Sequence, residues 1–513
     1  MNDPSHDQSD VLAFLGDPAT HGGCEVKRID THAAAVFLSG ERALKIKRAV
    51  RFPFLDFSSL DKRKAALQAE LEVNQAFAPQ IYRRVLPITR SANGRFALAG
   101  KGETIEWALE MARFREDGTL DHLADTGRID AALAEKLATM VAAMHVQAPV
   151  ANADSWLAAV PGFIDQNTKA FRAMPSLFPV EAVARLDEAA RNAFSRLRPL
   201  LASRGQLGLI RRGHGDLHLG NIVALDGDLV PFDALEFDPV IASGDVLYDL
   251  AFLLMDLLER RLTVAANIVL NGYLAKTRRP EDDDGLAALP LFLSLRAAIR
   301  AMVLAARIAP TAATRHAVIA RASRTYFDLA TRTIAPVPPK LIVVGGLSGT
   351  GKSVLARALA PSIAPDPGAV VLRSDVERKL LFGVESNAPL PEEAYRSEVN
   401  AKVYDRLMQK ATRIVAAGHS AIVDAVFAKT EERDAVAAVA AARQVRFRGL
   451  FLTADLAIRI ERVGARVGDV SDADAAVARQ QEAFVLGAVE WTTIDASGAL
   501  EQTLQRARAA VDV

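Results

Sequence analysis

The sequence predicts a multidomain chain, α+β in its first two thirds and α/β in its last third. A length of 513 residues is too great for a single hydrophobic core. Short alternating runs are followed by long alanine- and leucine-rich runs, and the last third alternates continuous apolar runs with helix-forming ones. Residues 335–340 separate the two parts, because the three prolines in this segment favour extended chain over helix.

The first part, residues 1–334, is predicted to be bilobal. Its β-rich lobe covers about residues 24–115, where short runs alternate apolar and polar side chains. Ser39-Gly40 lies between two of these runs and indicates a hairpin. Residues 60–76 interrupt the strands with leucines at helical spacing, which predicts one helix packed among them.

A helical lobe, residues 116–334, is predicted to follow, broken only by a loop-and-strand region at 208–240. Residues 341–513 are predicted to form a doubly wound parallel sheet. Their strand-like runs are continuously apolar, as expected when helices cover both faces of a sheet.

Composition excludes several classes of protein. The formal net charge is zero, so a nucleic-acid partner, which needs a concentrated basic surface, is not expected. Cys24 is the only cysteine, which excludes an intrachain disulfide and suits a reducing cytoplasm. The polar N-terminus does not have the pattern of a signal peptide. Residues 286–306 are strongly apolar but contain Arg296 and Arg300 at helical spacing, which favours a buried helix over a membrane span.

A glycine-rich loop opens the last third of the chain and fits the pattern G-x-x-x-x-G-K-[ST]. An apolar run precedes it and a helix-forming run follows it. Glycines at this spacing let backbone N–H groups turn toward phosphates, while the lysine reaches the terminal phosphates and the serine hydroxyl binds Mg²⁺. The predicted nucleotide-binding residues are Gly346, Ser348, Gly349, Thr350, Gly351, Lys352 and Ser353.

Further polar residues follow this loop at the ends of predicted strands. Asp375 ends the second strand, where open α/β sheets place ligands. Asp424 ends the third strand and could bind Mg²⁺ directly or through water. Arginines at three- and four-residue spacing share one helix face and precede a loop, which predicts a lid that brings cations to the transferred phosphate. These are Arg459, Arg462 and Arg466, followed by residues 468–473.

Residues of about 338–500 resemble the small P-loop kinases of the zeta-toxin, gluconate-kinase and chloramphenicol-phosphotransferase group. The resemblance implies that Asp375 binds and deprotonates the acceptor hydroxyl. It also implies that Arg459 and Arg462 are lid arginines. The acceptor itself is not specified by these residues.

A second motif, His-Gly-Asp-Leu-His-Leu-Gly-Asn at 214–221, combines Asp216 and Asn221 at the spacing D-x-x-x-x-N. The carboxylate would accept the proton of a hydroxyl, and the amide oxygen would hold Mg²⁺. Asp233 follows another apolar run and is the second predicted Mg²⁺ ligand. Asp245 and Asp249 are predicted to support the loop and a helix cap rather than to act as catalysts.

A lysine of the β-rich lobe is expected to reach the phosphates of this second nucleotide. Lys45 is the first choice, and Lys47 points to the same face of its strand and stays a competing choice. Glu70 in the predicted helix would orient the lysine, with Glu72 as the alternative.

Across residues of about 25–330, these residues resemble the aminoglycoside phosphotransferase and choline kinase family, which has a bilobal protein-kinase-like fold. The order of the two segments is similar to that of bacterial bifunctional proteins labelled aminoglycoside phosphotransferase/ATP-binding protein, in which the second segment is an AAA family ATPase. The resemblance implies ATP and Mg²⁺ as cofactors and a small-molecule hydroxyl as acceptor. Fold kinship does not fix which acceptor. The acidic run at 281–284 is expected to be a solvated loop.

The sequence therefore favours an ATP-dependent phosphotransferase with two ATP and Mg²⁺ sites, each transferring a γ-phosphoryl group to a small-molecule hydroxyl. Two alternatives stay open. One is an ATP-switched regulatory or ligand-binding protein whose kinase-like domain is not catalytic. The other is a toxin-like nucleotide-sugar kinase restrained by the N-terminal domain.

Overall fold

The computed structural model describes residues 7–31, 33–52, 55–236, 238–308, 313–385, 388–465 and 470–513. The described residues form two compact units. One lies within residues 1–130, 143–159 and 205–253, and the other lies within residues 131–142, 160–204 and 254–513. The domain boundaries inferred from the sequence, at residues 334 and 341, stay a prediction.

The first unit contains a six-stranded antiparallel sheet in the order β1-β2-β3-β8-β6-β7. The hairpin predicted at Ser39-Gly40 is confirmed: Ser39 ends β2, and Gly40 and Glu41 form the turn to β3, with Gly40 at the positive φ that this tight turn requires. The strands of this sheet and the short pair β4–β5 are β1 (Lys27–Asp30), β2 (Ala34–Ser39), β3 (Arg42–Lys47), β4 (Arg51–Phe52), β5 (Leu55–Asp56), β6 (Tyr82–Arg90), β7 (Phe96–Leu98) and β8 (Glu103–Ala112).

Helices cover this sheet. The predicted helix at 60–76 is confirmed as α2 (Leu60–Gln75), and Ser59 caps it by accepting a hydrogen bond from the backbone N–H of Lys62. Leu67 and Leu71 of α2 pack with Leu109 of β8 in one apolar cluster. A second cluster contains apolar side chains of α1 (Ser9–Gly16), β2 and β3.

Two small sheets complete the first unit and frame the 213–221 loop. They pair β9 with β12 and β10 with β11, both antiparallel. Their bounds are β9 (Ile210–Arg212), β10 (Ile222–Leu225), β11 (Asp228–Pro231) and β12 (Ser243–Asp245). The loop-and-strand region predicted at 208–240 is therefore confirmed.

Long helices make up most of the rest of the chain before the proline-rich segment, as predicted. In the second unit, Phe171, Phe178 and Phe327 pack with ring centroids 4.6 to 5.1 Å apart. The helices are α3 (Leu120–Asp125), α4 (Ala131–Gln147), α5 (Ala153–Arg172), α6 (Val180–Gln206), α7 (Val246–Glu259), α8 (Thr263–Thr277), α9 (Pro280–Gly285), α10 (Leu289–Ala306) and α11 (Ala313–Ile334).

The last third of the chain forms a five-stranded parallel sheet in the order β14-β15-β13-β16-β17. This confirms the predicted α/β class. The strands are β13 (Lys340–Gly346), β14 (Val370–Arg373), β15 (Ala421–Asp424), β16 (Arg446–Thr453) and β17 (Thr492–Asp495). The helices are α12 (Lys352–Leu359), α13 (Ser374–Leu381), α14 (Ser397–Ala416), α15 (Thr430–Arg443), α16 (Leu456–Gly464), α17 (Ala475–Gln480) and α18 (Leu500–Val511).

The core of this sheet contains Ile342 of β13, Leu355 of α12 and Leu504 of α18. Ile342 and Leu355 are fully buried and Leu504 nearly so. Burial of apolar area contributes roughly 25 cal/mol per Å² to stability. This packing therefore stabilises β13 and α12, the strand and helix that the glycine-rich loop connects.

Two predictions about the helical region, one for an apolar segment and one for an acidic segment, had different outcomes. The stretch Pro280–Ala306 is long and apolar enough to cross a membrane by length and composition alone, and 67% of its most apolar window is buried inside the protein. Arg296 in this stretch is buried, which agrees with the expected core helix. The expectation that residues 281–284 form a solvated loop is wrong: they lie in α9, with Asp282 and Asp283 buried, because basic side chains face them.

Candidate nucleotide sites

Two lysines of β3 share one glutamate of α2. Lys45 Nζ lies 2.7 Å from one Glu70 oxygen and Lys47 Nζ lies 2.6 Å from the other. Lys45 also contacts Asp233 at 3.0 Å, whereas Lys47 contacts Glu236 at 2.7 Å. Burial works to lower the pKa of Lys45, but the charges of Asp233 and Glu70 outweigh it and hold that pKa well above its ordinary value. Both lysines are therefore cations, and Lys45 is the one beside the predicted metal ligand.

The backbone around Asp233 is fixed by side chains of the β-rich lobe. Asp233 has a φ of 60°, and its N–H donates to the hydroxyl oxygen of Tyr82 at 3.0 Å. Asn74 of α2 accepts from the N–H of Ala234 at 2.8 Å and donates to its carbonyl at 3.3 Å. The Asp233 side chain is 50% exposed. These bonds stabilise a backbone conformation that is uncommon outside glycine and leave the carboxylate open to a ligand.

Asp249 of α7 fixes the start of the His-Gly-Asp loop. Its carboxylate accepts hydrogen bonds from the backbone N–H groups of His214 at 3.0 Å and Gly215 at 2.9 Å. His145 contacts the same carboxylate at 3.2 Å. The Oδ1 of Asp245 caps α7 by accepting from the N–H of Leu247 at 2.9 Å. The predicted supporting roles of Asp245 and Asp249 are confirmed.

Asp216 and Asn221 meet across this loop. The Asn221 amide nitrogen donates to the Asp216 carboxylate and to the Asp216 carbonyl, each at 3.0 Å. His218 Nδ1 accepts from the N–H of Gly220 at 3.1 Å, so in the neutral ring the proton is on Nε2, which lies 3.5 Å from the carboxylate. Because the amide nitrogen of Asn221 is turned to Asp216, its oxygen points away as an acceptor.

These donors fit a hard divalent cation. Asn221 and Asp233 offer amide and carboxylate oxygens, the ligands that Mg²⁺ takes in nucleotide sites together with phosphate oxygens and water. Within the described ranges no group of three or more His, Cys, Asp or Glu side chains forms a metal cage. A metal held partly by the nucleotide matches this sparse donor set.

The glycine-rich loop joins β13 to α12 in the second unit. Gly349 has a φ of 85° and lies against α16, where an added Cβ would come within 2.5 Å of the Arg459 carbonyl oxygen. Only glycine fits such an approach. Gly346 and Gly351 also have positive φ, at 135° and 92°, and the Thr350 hydroxyl donates to the Leu347 carbonyl at 2.8 Å. The loop therefore has the tight backbone, with its glycines at positive φ, that the motif predicts.

The polar groups of this loop already have protein partners. Lys352 Nζ donates to the Leu347 carbonyl at 3.0 Å, which holds the ammonium over the loop. The backbone N–H of Ser348 donates to the side-chain oxygen of Gln481 at 2.6 Å. Gln481 follows α17, so residues after α17 reach the phosphate-binding backbone.

Arg373 at the end of β14 bridges the two predicted metal ligands. Its Nη2 donates to the Ser353 hydroxyl at 3.2 Å, and its Nε lies 3.4 Å from an Asp424 oxygen. Asp424 is buried at the end of β15, as predicted. Burial raises the pKa of Asp424, while the positive charges of Lys352 and Arg373 act in the opposite direction. A hydroxyl and a carboxylate so placed fit Mg²⁺, which would compete with the guanidinium for them.

Asp375 lies in the first turn of α13, just past the end of β14. Its charge acts on both Asp424 and Tyr395, so it lies near the predicted metal ligand Asp424 and near the segment that precedes α14. Asp472, from the loop before α17, contacts this segment. Its carboxylate contacts Lys379 at 3.1 Å and accepts from the Tyr395 hydroxyl at 2.8 Å.

The predicted lid arginines have different surroundings. Arg459 is buried, with Nε donating to the Ser348 carbonyl at 2.9 Å, and it also pairs with Glu482. Arg462 is partly exposed on the same helix and donates to the Gly498 carbonyl at 3.2 Å. Arg459 therefore braces the glycine-rich loop, whereas Arg462 is the more open cation beside Gly351. Arg466 and residues 468–469 lie outside the described residues.

Two sequence families match this chain. Residues 49–288 match the sequence model of the phosphotransferase enzyme family, and residues 341–486 match that of an AAA domain of the P-loop kinase type. Two kinase-type domains therefore lie in one chain. The protein is a kinase.

Relatives of this kinase match nearly its whole length. An uncharacterized protein of Mycobacterium tuberculosis is 27% identical over 519 residues, covering 96% of this chain and 98% of its own. An uncharacterized protein of Mycobacterium bovis matches to the same extent. Among solved structures, a choline kinase from Cryptosporidium parvum covers 64% of this chain and 95% of its own, at 11% identity and a TM-score of 0.40. A sugar kinase from Janibacter covers 34% and 96%, at 22% identity and a TM-score of 0.26.

Several residues of the two candidate sites were not expected from the sequence. Glu236 and Arg373 had no motif to mark them, and Asp472 was expected only as part of a loop. His218 stands inside the His-Gly-Asp motif, and its position two residues after Asp216 could have drawn attention to it. Of the two glutamates considered for the lysine, Glu70 makes the contact, whereas Glu72 is exposed and accepts from Gln68.

Proposed function

We propose that the protein is an ATP- and Mg²⁺-dependent phosphotransferase with two sites, each transferring the γ-phosphoryl group to the hydroxyl of a small molecule. The observation that carries the proposal is that each site has a carboxylate outside both the proposed metal ligands and the lysine–carboxylate pairs. Asp216 is that carboxylate in the first site and Asp375 in the second. A nucleotide switch needs a lysine and metal ligands but no such base.

In the first site, Lys45 binds the nucleotide phosphates, and Glu70 orients it. Asn221 and Asp233 hold Mg²⁺, which when bound neutralises the charge on the phosphate oxygens. The acceptor oxygen attacks the γ-phosphorus, the bond from that phosphorus to the β–γ bridging oxygen breaks, and ADP leaves. The acceptor proton passes to Asp216, which Asn221 holds by two hydrogen bonds of 3.0 Å.

In the second site, the glycine-rich loop and Lys352 bind the phosphates, and Ser353 and Asp424 hold the metal. Asp375 accepts the acceptor proton in the same type of displacement. Arg462 supplies positive charge near the transferred group, and Arg459 keeps the loop in shape through the Ser348 carbonyl. Most of the rate enhancement would come from positioning and charge, because the transition state is loose.

The acceptors are expected to be small hydroxylated metabolites. A net charge of zero gives no support to a nucleic-acid or acidic-membrane partner. Use of ATP and an exposed free thiol at Cys24 suit a cytoplasmic enzyme.

A direct test measures ADP release by the purified full chain with Mg²⁺, ATP and pools of hydroxylated metabolites, sugars and aminoglycosides. Any pool that stimulates release is then searched by mass spectrometry for a phosphorylated product. Asp216→Asn and Asp375→Asn should each lower the turnover of one acceptor by about 10²- to 10⁴-fold. Asp228→Asn and Asp434→Asn are isosteric controls at exposed positions and should leave both turnovers unchanged.

The two domains can be assigned separately. Lys352→Ala should abolish turnover of the acceptor that depends on Asp375 and spare the one that depends on Asp216. The proposal fails if no acceptor stimulates turnover and neither Asp216→Asn nor Lys352→Ala changes basal ATP hydrolysis.

A further inference from the structure

Among the described residues, strand β14 lies at the edge of the parallel sheet and has a neighbouring strand on one side only. Its inner side pairs with β15, and the N–H of Val370 donates to the Ser420 carbonyl at 2.9 Å. The backbone groups of Ala369 and Val371 consequently face outward. An exposed row of this kind normally needs a protecting partner.

Two asparagines of α8 take the place of the missing strand. Asn271 accepts from the N–H of Val371 at 2.7 Å and donates to the Ala369 carbonyl at 3.2 Å. Asn267, one helical turn earlier, donates to the same carbonyl at 3.1 Å. The Asn271 amide also donates to the Asn267 side-chain oxygen at 3.2 Å, which links the two side chains. The pair thus copies the donor and acceptor pattern of a strand.

The fit at this edge is close. An added Cβ on Gly368 would lie 2.7 Å from the Asn267 amide nitrogen, and Gly368 has a φ of 113°. Asn267 is buried. Since both α8 and β14 belong to the second compact unit, these bonds are part of its packing.

A second line of contacts runs from α9 to α14. Asp284 pairs with Arg413 at 3.3 Å, and the charge of Lys410 acts on Asp283. Lys410 also contacts Glu377 of α13 at 2.5 Å. Glu377 is buried, so α13 is held through this glutamate.

One of these two lines of contact ends just before Asp375 in the chain, and the other ends just after it. β14 ends two residues before it, and Glu377 follows it by two residues in α13. The helices α8 and α9 lie within the residues that match the phosphotransferase family, whereas β14, α13 and α14 lie within those that match the AAA domain. The glycine-rich loop follows β13, which is a central strand.

We propose that α8 and α9 position Asp375, so that phosphoryl transfer to the acceptor at the P-loop site depends on the phosphotransferase-family segment while nucleotide binding at that site does not. Asn267 and Asn271 are positioning residues that act through β14. The inference rests on the proposed role of Asp375 as the base.

The test uses the full chain in a Lys45→Met background, so that only the P-loop site is measured. Asn271→Ala removes both bonds to β14. Asn271→Asp has the same shape and can still accept from Val371, but its carboxylate opposes the Ala369 carbonyl. Lys276→Ala, on an exposed position of the same helix, is the matched control. Three quantities are measured: amide hydrogen exchange of residues 369–381, nucleotide affinity by calorimetry at saturating Mg²⁺, and kcat and KM for the metabolite that the pool assay above assigns to Asp375.

Asn271→Ala should speed exchange in residues 369–375 by roughly two- to tenfold, the range expected for losing such bonds, and Asn271→Asp by less. Acceptor turnover should fall in the same order. At saturating Mg²⁺, where competition from Arg373 of β14 has no effect, the nucleotide Kd should change by less than twofold, and Lys276→Ala should match the parent. If Asn271→Ala does not fold, the Asn271→Asp comparison carries the test.

Unchanged exchange, or faster exchange with unchanged turnover, would overturn the inference. A fall in nucleotide affinity equal to the fall in turnover would also overturn it, because general loosening of the domain would then explain both. Failure of the proposed function looks different: Asp375→Asn would then leave acceptor turnover and basal ATP hydrolysis unaltered, whatever the exchange at β14.

Discussion

Lys45 Nζ lies 3.0 Å from a carboxylate oxygen of Asp233, although the two residues are 188 positions apart in the chain. The neighbouring Lys47 makes no such contact among those described for the two lysines, and lies instead between Glu70 and Glu236. The side chain of Lys47 is 5% exposed and that of Lys45 is 15% exposed. Two lysines on one face of a strand are thus separated into one that faces the metal ligand and one that is enclosed by carboxylates.

Replacing each lysine by methionine should separate binding from stability. Lys45→Met should abolish detectable nucleotide binding at the first site, with a small loss of stability because Lys47 still neutralises Glu70. Lys47→Met leaves two buried carboxylates short of a cation and should lower the free energy of unfolding by about 3 kcal/mol. Calorimetry in a Lys352→Ala background and urea denaturation measure the two effects. If Lys47→Met lost more nucleotide affinity than Lys45→Met, Lys47 rather than Lys45 would be the phosphate-binding lysine.

Asn221 places a neutral hydrogen-bond donor next to the Asp216 carboxylate. Changing Asn221→Asp replaces a donor by a second carboxylate, and two adjacent carboxylates resist joint ionisation. The acidic limb of the pH–rate profile for the first acceptor should therefore move to higher pH by about one unit or more. Asn221→Ala also loses the metal ligand and one hydrogen bond to the Asp216 carboxylate but adds no charge, so it should lower the rate and move that limb by less than Asn221→Asp does. Identical pH–rate profiles for Asn221→Asp and Asn221→Ala would contradict the hydrogen bond between Asn221 and Asp216.

Arg373 should set the Mg²⁺ requirement of the second site. Its guanidinium contacts Ser353 and Asp424, the oxygens that would hold the metal. Arg373→Gln should lower the Mg²⁺ concentration for half-maximal nucleotide binding by roughly two- to tenfold, because a competing cation is removed. Arg373→Lys retains the charge and should change it less. An unchanged or higher Mg²⁺ requirement in Arg373→Gln would refute the competition.

Asp283 should make the folded protein more stable at acidic pH than above pH 7. Burial raises the pKa of Asp283 to about 7, although Lys410 and Arg413 act to lower it. The unfolded chain loses this proton near pH 4 and the folded chain only near pH 7, so the wild type loses stability as pH rises across that window. Asp283→Asn should be more stable than wild type above pH 7 by roughly 2 kcal/mol, with the gap closing toward pH 4.

Urea denaturation at pH 4.5, 6 and 8 checks this, with Asp434→Asn as an exposed control that should show no gap. A gap of one size at all three pH values would show that Asp283 is ionised in the folded protein throughout.

Local patterns predicted much of the fold. Ser39-Gly40 marked a hairpin because only a few turns fit two residues, and the glycine-rich loop marked its own strand and helix. Asp424 could be placed at the end of a strand from the continuous apolar run before it. Each of these predictions needed only neighbouring residues.

The parts that could not be predicted depend on long-range contacts. The choice between Lys45 and Lys47 stayed open because a two-residue period puts both on one face. The acidic run at 281–284 has the composition of a solvated loop, and only the basic side chains of Arg204, Lys410 and Arg413 explain its burial. Arg373 and Glu236 belong to no motif, and their roles follow from partners 20 or more positions away in sequence.

The asparagine-covered edge of β14 also limits how the chain can be divided. A shorter chain that begins at the proline-rich segment would lack α8, so the Ala369 carbonyl and the Val371 N–H would face solvent beside the buried side chains of Val370 and Leu372. Such an edge is a template for pairing with another molecule. The C-terminal third produced alone would therefore tend to self-associate into β-linked aggregates, and charged residues at positions 369 or 371 would be needed to keep it monomeric.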